Sequence, residues 1–172
     1  EPKSDDRNNA KLAADLAGVI RATGARMDVL GHSMGGKAAM QLALTEAALV
    51  RRLVVADIAP VAYGHSQNHL VAAMRGLDLS GVATRGEADR RLAQSVEDEG
   101  VRAFLLQSLD MKAVPPRWRL NLDLLEAEMA RITGWPETEG RFDGPALFLS
   151  GSLSDYVRPE HRDKIKALFP RA

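Results

Sequence analysis

The chain has 172 residues, of which 45% are hydrophobic and 27% are charged, and these proportions are ordinary for one globular domain with a core. Its 23 Lys and Arg residues balance 23 Asp and Glu residues, so electrostatics gives no case for binding nucleic acid or an acidic membrane surface. The absence of cysteine excludes disulfides, thiolate metal sites and cysteine nucleophiles. No apolar run reaches the length of a transmembrane helix, so the default prediction is a cytoplasmic protein.

The first part of the chain alternates helix and strand. Apolar residues at helical spacing predict a helix from Ala10 to about Thr23, followed by a short buried strand from Met27 to Leu30. A second helix, Lys37 to Ala48, precedes a strand from Arg51 to Asp57. The continuous apolar run Leu53 to Ala56 is typical of a parallel strand covered on both faces. This alternation predicts a doubly wound parallel sheet.

The middle of the chain has a helical pattern without a convincing strand. A strand then follows from Gly144 to Gly151, and Pro159 begins a last helix that ends near Phe169. An all-helical insertion between two strands of a parallel sheet predicts a lid. We therefore divide the chain into a core at 1–60, a helical cap at 61–143 and the continuation of the core at 144–172. The predicted cap helices are about Gln67–Arg75, Gly86–Asp98, Val101–Leu109 and Asn121–Ile132.

The six residues Gly31-His32-Ser33-Met34-Gly35-Gly36 lie between the first predicted strand and the second predicted helix. A Gly-x-Ser-x-Gly motif in that context is typical of a nucleophile elbow, a sharp turn that exposes the serine hydroxyl. A strained backbone at Ser33 and a close approach of strand and helix would leave no room for side chains at Gly31 and Gly35. A phosphate-binding turn is the weaker interpretation, because no Gly-Lys-Ser/Thr run follows.

These features resemble the α/β-hydrolase superfamily, and within it the small bacterial esterases and their mitochondrial relatives, the ABHD11-like hydrolases. The resemblance runs from about Asn8 to the C-terminus, and it is most specific where the elbow is combined with the motif Val55 to Val61. It implies an α/β-hydrolase fold, a doubly wound parallel sheet with an all-helical lid. Further matching stretches are Thr133-Gly134-Trp135, Pro145 to Gly151 and Glu160 to Asp163.

The resemblance implies hydrolysis of carboxylic esters or thioesters of small acyl substrates by a serine nucleophile, through an acyl-enzyme. Ser33 would attack the carbonyl carbon, and the backbone N–H of Met34 would be one donor of the oxyanion hole. No cofactor or metal is expected, because there is no dinucleotide fingerprint, P-loop or ligand cluster. The expected partner is a small ester or thioester, with no nucleic acid or membrane, and the oligomeric state is not predicted.

The triad acid has two candidates. In most of the superfamily the acid lies three positions after the glycine that ends the third strand, and here that position is Ser154, with Asp155 one step later. The narrower family can place its acid after the preceding strand, at the position of Asp57. A carboxylate is needed to hold the tautomer of the catalytic histidine and to stabilise the imidazolium, which a serine cannot do. We favour Asp57 over Asp155.

None of the four histidines matches the base of the family. His32 lies inside the elbow, His65 and His69 lie at the start of the cap, and His161 lies in the last helix. The family's base follows a strand that would come after Ala172, and its His-Gly oxyanion loop would precede Glu1. We therefore expect an internal portion of an α/β hydrolase that is inactive in isolation and prone to aggregate through exposed sheet edges.

Other functions stay open at this point. The same fold hosts C–C bond hydrolases and cofactor-free haloperoxidases, and some of its members are non-catalytic binding proteins. The intact elbow at Ser33 argues against the non-catalytic alternative. The cap would shape the acyl pocket, although packing within the cap explains its apolar residues equally well. Candidates for the pocket lining are Phe104, Leu105, Trp118, Leu125 and Met129.

Overall fold

The computed structural model of the chain describes residues 9–64, 67–136, 138 and 140–172. The chain divides into two compact units, one that combines residues 1–64 with 130–172 and one that comprises residues 65–129. The helices and strands in chain order are α1 (Asn9–Thr23), β1 (Met27–His32), α2 (Met34–Thr45), β2 (Val50–Ala56), α3 (Asn68–Gly76), α4 (Arg85–Leu92), α5 (Glu99–Leu106), β3 (Leu109–Asp110), β4 (Arg117–Trp118), α6 (Leu122–Thr133), β5 (Ala146–Leu149) and α7 (Arg162–Leu168), with short 3₁₀ helices at Ala47–Leu49 and Pro159–His161.

A three-stranded parallel sheet forms the centre of the first unit, in the order β1-β2-β5. In its register Leu30 lies beside Val54, and Val54 lies beside Leu147. The predicted parallel arrangement is therefore confirmed. Because all three strands run the same way, the residues that follow them meet at one edge of the sheet, where α/β proteins place their ligand sites.

Small residues of α2 let this helix lie close to the sheet. Ala39, Leu42 and Ala43 are fully buried and belong to one core with Leu53 and Val55 of β2. Side chains of α1 and the C-terminal residues of the chain complete this core. The residues that they add are Ala13, Ala17, Ile20, Phe142 and Phe169.

The opposite face of the sheet is open in the described part of the chain. Leu30 is 71% exposed, Leu147 is 51% exposed and Leu149 is 49% exposed. The prediction of a buried first strand is therefore wrong, and β2 is not covered on both faces. Side chains alternate between the two faces of a strand. Within the described part of the chain, α2 covers one face of the sheet, and only the side chains on that face are buried.

The second unit is mostly helical. Two of its helices begin at side-chain caps, since the hydroxyl of Thr84 accepts from the N–H of Glu87 and the carboxylate of Asp98 accepts from the N–H of Val101. The unit also contains an antiparallel pair, in which Leu109 of β3 lies beside Trp118 of β4. The predicted all-helical lid is therefore wrong in this detail, because two-residue strands are too short to give an alternating pattern.

The predicted cap, 61–143, is longer at both ends than the compact unit 65–129. Phe142 packs in the core of the first unit, and its N–H donates to the carbonyl of Leu168 at 2.9 Å. Of the predicted pocket-lining residues, Leu105 and Met129 are buried, whereas Phe104 is exposed. The role of this segment as a lid stays a prediction. No helix among the described residues is both long and apolar enough to cross a membrane.

Candidate active site

Ser33 occupies the apex of a sharp turn between β1 and α2. Its backbone has φ 52° and ψ −122°, a conformation that only glycine adopts without strain. Such a conformation in a residue with a side chain costs about 1–3 kcal/mol, and it persists where the surrounding structure imposes it. Here the N–H of Ser33 donates to the carbonyl of Ala56 at 3.0 Å, which ties the apex to β2. The strained turn expected at Ser33 is thus present.

The close approach of strand and helix depends on two glycines, one of which differs from the expectation. A Cβ at Gly31 would lie 2.3 Å from the carbonyl oxygen of Gly35, and a Cβ at Gly36 would lie 2.5 Å from Cγ2 of Ile58. A Cβ at Gly35 would meet nothing within 4 Å. The expectation that Gly35 removes a clash is therefore wrong, because a Cβ at Gly35 would enter open space, and it is the carbonyl group of Gly35 that lies against Gly31.

The hydroxyl of Ser33 is not used to cap α2, although Ser33 is the N-cap residue. The carbonyl of Ser33 accepts from the N–H groups of Gly36 and Lys37, at 2.9 and 3.2 Å. The N–H of Met34 belongs to the first turn of α2, where backbone donors have no acceptor within the helix. An anionic oxygen beside Ser33 would therefore meet a free backbone donor and the positive end of the helix dipole.

Asp57 directly follows β2, beside the strand that carries the elbow. Its backbone is also left-handed, with φ 54°, and its N–H donates to the carbonyl of Leu149 at 2.8 Å. Its Oδ1 accepts from the N–H of Gly151 at 3.4 Å. The half-buried carboxylate of Asp57 thus lies at the same edge of the sheet as Ser33, between the elbow and the loop that follows β5.

Asp155 lies on that loop and is exposed. Its carbonyl accepts from Nε of Arg158 at 3.0 Å, and the neighbouring loop residue Ser154 donates its N–H to the carbonyl of Gly151 at 3.1 Å. These contacts shape the loop through its backbone. They do not involve the carboxylate of Asp155, whereas the carboxylate of Asp57 accepts a hydrogen bond from the loop.

The described histidines do not complete a triad. His32 is exposed at the end of β1, and His69 lies in the second unit. Nδ1 of His161 accepts from the N–H of Arg158 at 3.2 Å. Among the described residues, no histidine hydrogen-bonds to Ser33 or Asp57, and His65 lies outside the described residues. No group of three or more potential metal ligands occurs within the described ranges.

A buried cation lies on the helix that follows the elbow, and the sequence analysis did not identify it. Lys37 is 1% exposed, and its Nζ donates to the carbonyls of Thr133 and Gly134 at 2.5 and 2.6 Å. The ring centroid of Tyr63 lies 4.8 Å from Nζ, a cation–π distance. Burial lowers the pKa of Lys37 to about 8. A lysine within a run of small buried residues was the available signal.

Tyr63 joins the loops that follow β2 and β5. Its hydroxyl accepts from the N–H of Ala59 at 2.8 Å and donates to the carbonyl of Tyr156 at 2.6 Å. Burial also raises the pKa of Tyr63. Since Ala59 follows Asp57 by two positions, this tyrosine is bonded to the segment that carries the favoured acid.

Several known proteins are similar to this chain in sequence and in fold. The profile of the "Alpha/beta hydrolase family" matches residues 2–172. The mouse (Mus musculus) protein named "sn-1-specific diacylglycerol lipase ABHD11" is 39% identical over 178 residues. "Esterase YbfF" of Escherichia coli strain K12 is 36% identical over 174 residues. A solved structure titled "Marine microorganism esterase" superposes with a TM-score of 0.90 at 34% identity.

The matches cover nearly all of this chain but only part of each relative. Each of the three alignments spans 99% of this chain, against 58% of the mouse protein, 66% of the E. coli protein and 69% of the marine esterase. The chain therefore spans about three fifths of the length of the curated relatives.

Proposed function

The chain belongs to the alpha/beta hydrolase family, and from this premise we propose that the protein is a serine hydrolase that cleaves carboxylic esters or thioesters of small acyl substrates. The observation that carries the proposal is the strained backbone at Ser33, whose hydroxyl does not cap α2 although the residue stands at the start of that helix. A strained residue of this kind costs folding free energy, and active sites are where such strain is commonly retained. The names of the mouse and E. coli relatives, a lipase and an esterase, support the same reaction class.

In the proposed reaction, Oγ of Ser33 attacks the carbonyl carbon while a histidine takes its proton. The carbonyl oxygen becomes an oxyanion that the N–H of Met34 stabilises, and collapse of the tetrahedral intermediate expels the alcohol or thiol with the proton from the histidine. Water, which loses a proton to the same histidine, then attacks the acyl carbon, and the bond to Oγ of Ser33 breaks as Oγ takes that proton, which releases the carboxylic acid. The position of Met34 at the start of α2 supports its part in this scheme.

We assign the orienting acid to Asp57. Its position after β2, next to the elbow strand, and the hydrogen bond from Gly151 to its carboxylate support this choice over the exposed Asp155. A carboxylate in this role accepts from Nδ1–H of the histidine and stabilises the imidazolium. None of the three described histidines is assigned as the base.

The proposal is tested by labelling with a fluorophosphonate, followed by peptide mapping, in the protein at its full natural length. We expect one adduct, on Ser33, and loss of both labelling and ester hydrolysis in Ser33→Ala. Ser150→Ala is a matched control, because it removes another serine hydroxyl from the same edge of the sheet and should leave labelling intact. Hydrolysis that persists in Ser33→Ala would refute the assignment.

A panel of short-chain esters, thioesters, a vinylogous C–C substrate and halide with peroxide separates the proposed chemistry from its alternatives. We expect turnover of esters or thioesters, dependent on Ser33, and none in the other two assays. Turnover confined to the C–C substrate or to halide oxidation would contradict the proposed substrate class while leaving Ser33 as the reactive residue.

A further inference from the structure

The hydroxyl of Tyr63 is a bridge between the two loops on which the favoured acid depends. It accepts from Ala59 in the loop after β2 and donates to the carbonyl of Tyr156 in the loop after β5. Both bonds have normal hydrogen-bond lengths, 2.8 and 2.6 Å, and together they use one acceptor site and the one donor of the hydroxyl. The hydroxyl therefore ties the backbone of one loop to the backbone of the other, beside the edge-on contact of the Tyr63 and Tyr156 rings, whose centroids are 5.3 Å apart.

The same two loops meet again at the carboxylate of Asp57. Its Oδ1 accepts from Gly151 at 3.4 Å, a long hydrogen bond that a small displacement of either loop would break. Since Asp57 precedes Ala59 by two residues and Gly151 precedes Tyr156 by five, the bridge and this bond lie across the same gap. A change in the separation of the loops at Tyr63 would therefore move Gly151 relative to the carboxylate of Asp57.

Lys37 fixes Tyr63 from the side of the elbow helix. Its Nζ lies against the ring of Tyr63, and it donates to the carbonyl of Thr133, which also accepts from the N–H of Tyr63 at 3.1 Å. Thr133 is the last residue of α6, so its carbonyl is at the negative end of a helix dipole, which favours a cation. Lys37 lies four residues after Ser33, and the contacts thus run from the elbow helix to the acid loop.

We propose that Tyr63, supported by Lys37, is a positioning residue that holds the carboxylate of Asp57 in register with the elbow. This inference rests on the proposed serine hydrolase function. It assigns no contact with substrate to either residue. It predicts that loss of the Tyr63 hydroxyl harms the reaction only through Asp57.

The test is a double-mutant cycle that combines Tyr63→Phe with Asp57→Asn, in the protein at its full natural length, with p-nitrophenyl acetate as substrate. Tyr63→Phe keeps the ring over Lys37 and removes only the hydroxyl. We expect kcat to fall about tenfold with KM changed less than twofold. In the Asp57→Asn background the same substitution should have no further effect, because the group that it positions is already impaired.

Thr138→Val is the control for a merely structural effect. Oγ1 of Thr138 donates to the side chain of Gln41 on α2 at 2.9 Å, so this substitution also removes one hydroxyl bond to the elbow helix but does not touch the acid loops. We expect its kcat to stay within twofold of the parent. The apparent pKa on the acid limb of the pH–kcat/KM profile should fall in Tyr63→Phe alone, because a displaced carboxylate stabilises the imidazolium less.

Three results would overturn the inference. These are an unchanged kcat in Tyr63→Phe, a loss that is equally large in the Asp57→Asn background, and a loss that vanishes in Asp155→Asn instead. Failure of the proposed function has a different signature, since hydrolysis would then persist in Ser33→Ala. A companion variant, Lys37→Met, should lower kcat in the same Asp57-dependent way, and its melting temperature is measured to confirm that it folds.

Discussion

Gly35 and Gly36 provide a matched test of the close approach between α2 and the sheet. They are consecutive residues in the first turn of one helix, so replacing either by alanine changes helix propensity by the same amount, about 1 kcal/mol. A Cβ at Gly35 would meet nothing within 4 Å, whereas one at Gly36 would lie 2.5 Å from Cγ2 of Ile58. The difference in unfolding free energy between Gly35→Ala and Gly36→Ala therefore measures the steric cost of the added methyl group at Gly36.

The expected size of that contribution follows from the packing around Gly36. Its added Cβ would also lie 3.1 Å from the carbonyl oxygen of Gly31 and 3.2 Å from Cγ1 of Val55, and Ile58 is only 3% exposed. Carbon atoms pack at about 3.5–4.0 Å, so Ile58 must move within a filled core. Overpacking of this kind costs about 1–3 kcal/mol, and Gly36→Ala should be less stable than Gly35→Ala by that amount.

Urea denaturation of the two variants, followed by tryptophan fluorescence, measures this difference, because Trp135 packs against the core of the first unit. We expect Gly35→Ala to equal the parent or to exceed it by up to about 1 kcal/mol. Gly31→Ala should be the least stable of the three variants, since its Cβ would meet only backbone atoms, at 2.3–2.7 Å. Equal midpoints for Gly35→Ala and Gly36→Ala would refute the close approach.

The remaining predictions concern strain, the acid and the buried lysine. Ser33→Gly should be more stable than Ser33→Ala by up to about 2 kcal/mol in the same urea assay, because glycine relieves the strain at φ 52°, and a lower stability would contradict that strain. Asp57→Asn should lower kcat by about 10³–10⁴-fold while Asp155→Asn changes it less than twofold, and the reverse order would transfer the acid to Asp155. Because burial lowers the pKa of Lys37 to about 8, the unfolded state binds the extra proton between pH 8 and 10.5. The unfolding free energy of the parent, relative to Lys37→Met, should therefore rise by about 1–3 kcal/mol from pH 7.5 to 10, and a fall over that range would contradict a lowered pKa.

Local chemistry explains why the elbow was recognisable in the sequence. A strand, a glycine-flanked serine and a helix of small residues are consecutive, so the strain at Ser33 and the tight contact at Gly31 arise within a few residues of each other. The parallel pairing of β1 with β2 was predictable for the same reason, since one helix connects them. Local periodicity also located the helices to within a few residues of their observed ends, although α4 is shorter than predicted.

Contacts between distant residues decided the rest. The placement of β5 beside β2 joins segments about 90 residues apart, and that pairing is what brings Gly151 to the carboxylate of Asp57. The apolar residues of β1 predict a buried strand, but among the described residues β1 is largely exposed, because burial depends on which layers cover each face. An apolar side chain is compatible with burial, but the packing of other segments against it determines whether it is buried.

Lys37 illustrates the same limit at the candidate site. Its charge within α2 would suggest a solvent-exposed position, yet its partners, the carbonyls of Thr133 and Gly134, lie 96 and 97 residues further along the chain. The sequence by itself therefore determined the sharp turn at Ser33 and the parallel α/β pattern, which depend on local sterics and periodicity. Only the tertiary structure showed that the carboxylate of Asp57 is hydrogen-bonded at this edge of the sheet and that Lys37 is buried, because hydrogen bonds between a side chain and a distant backbone group leave no periodic trace in a sequence.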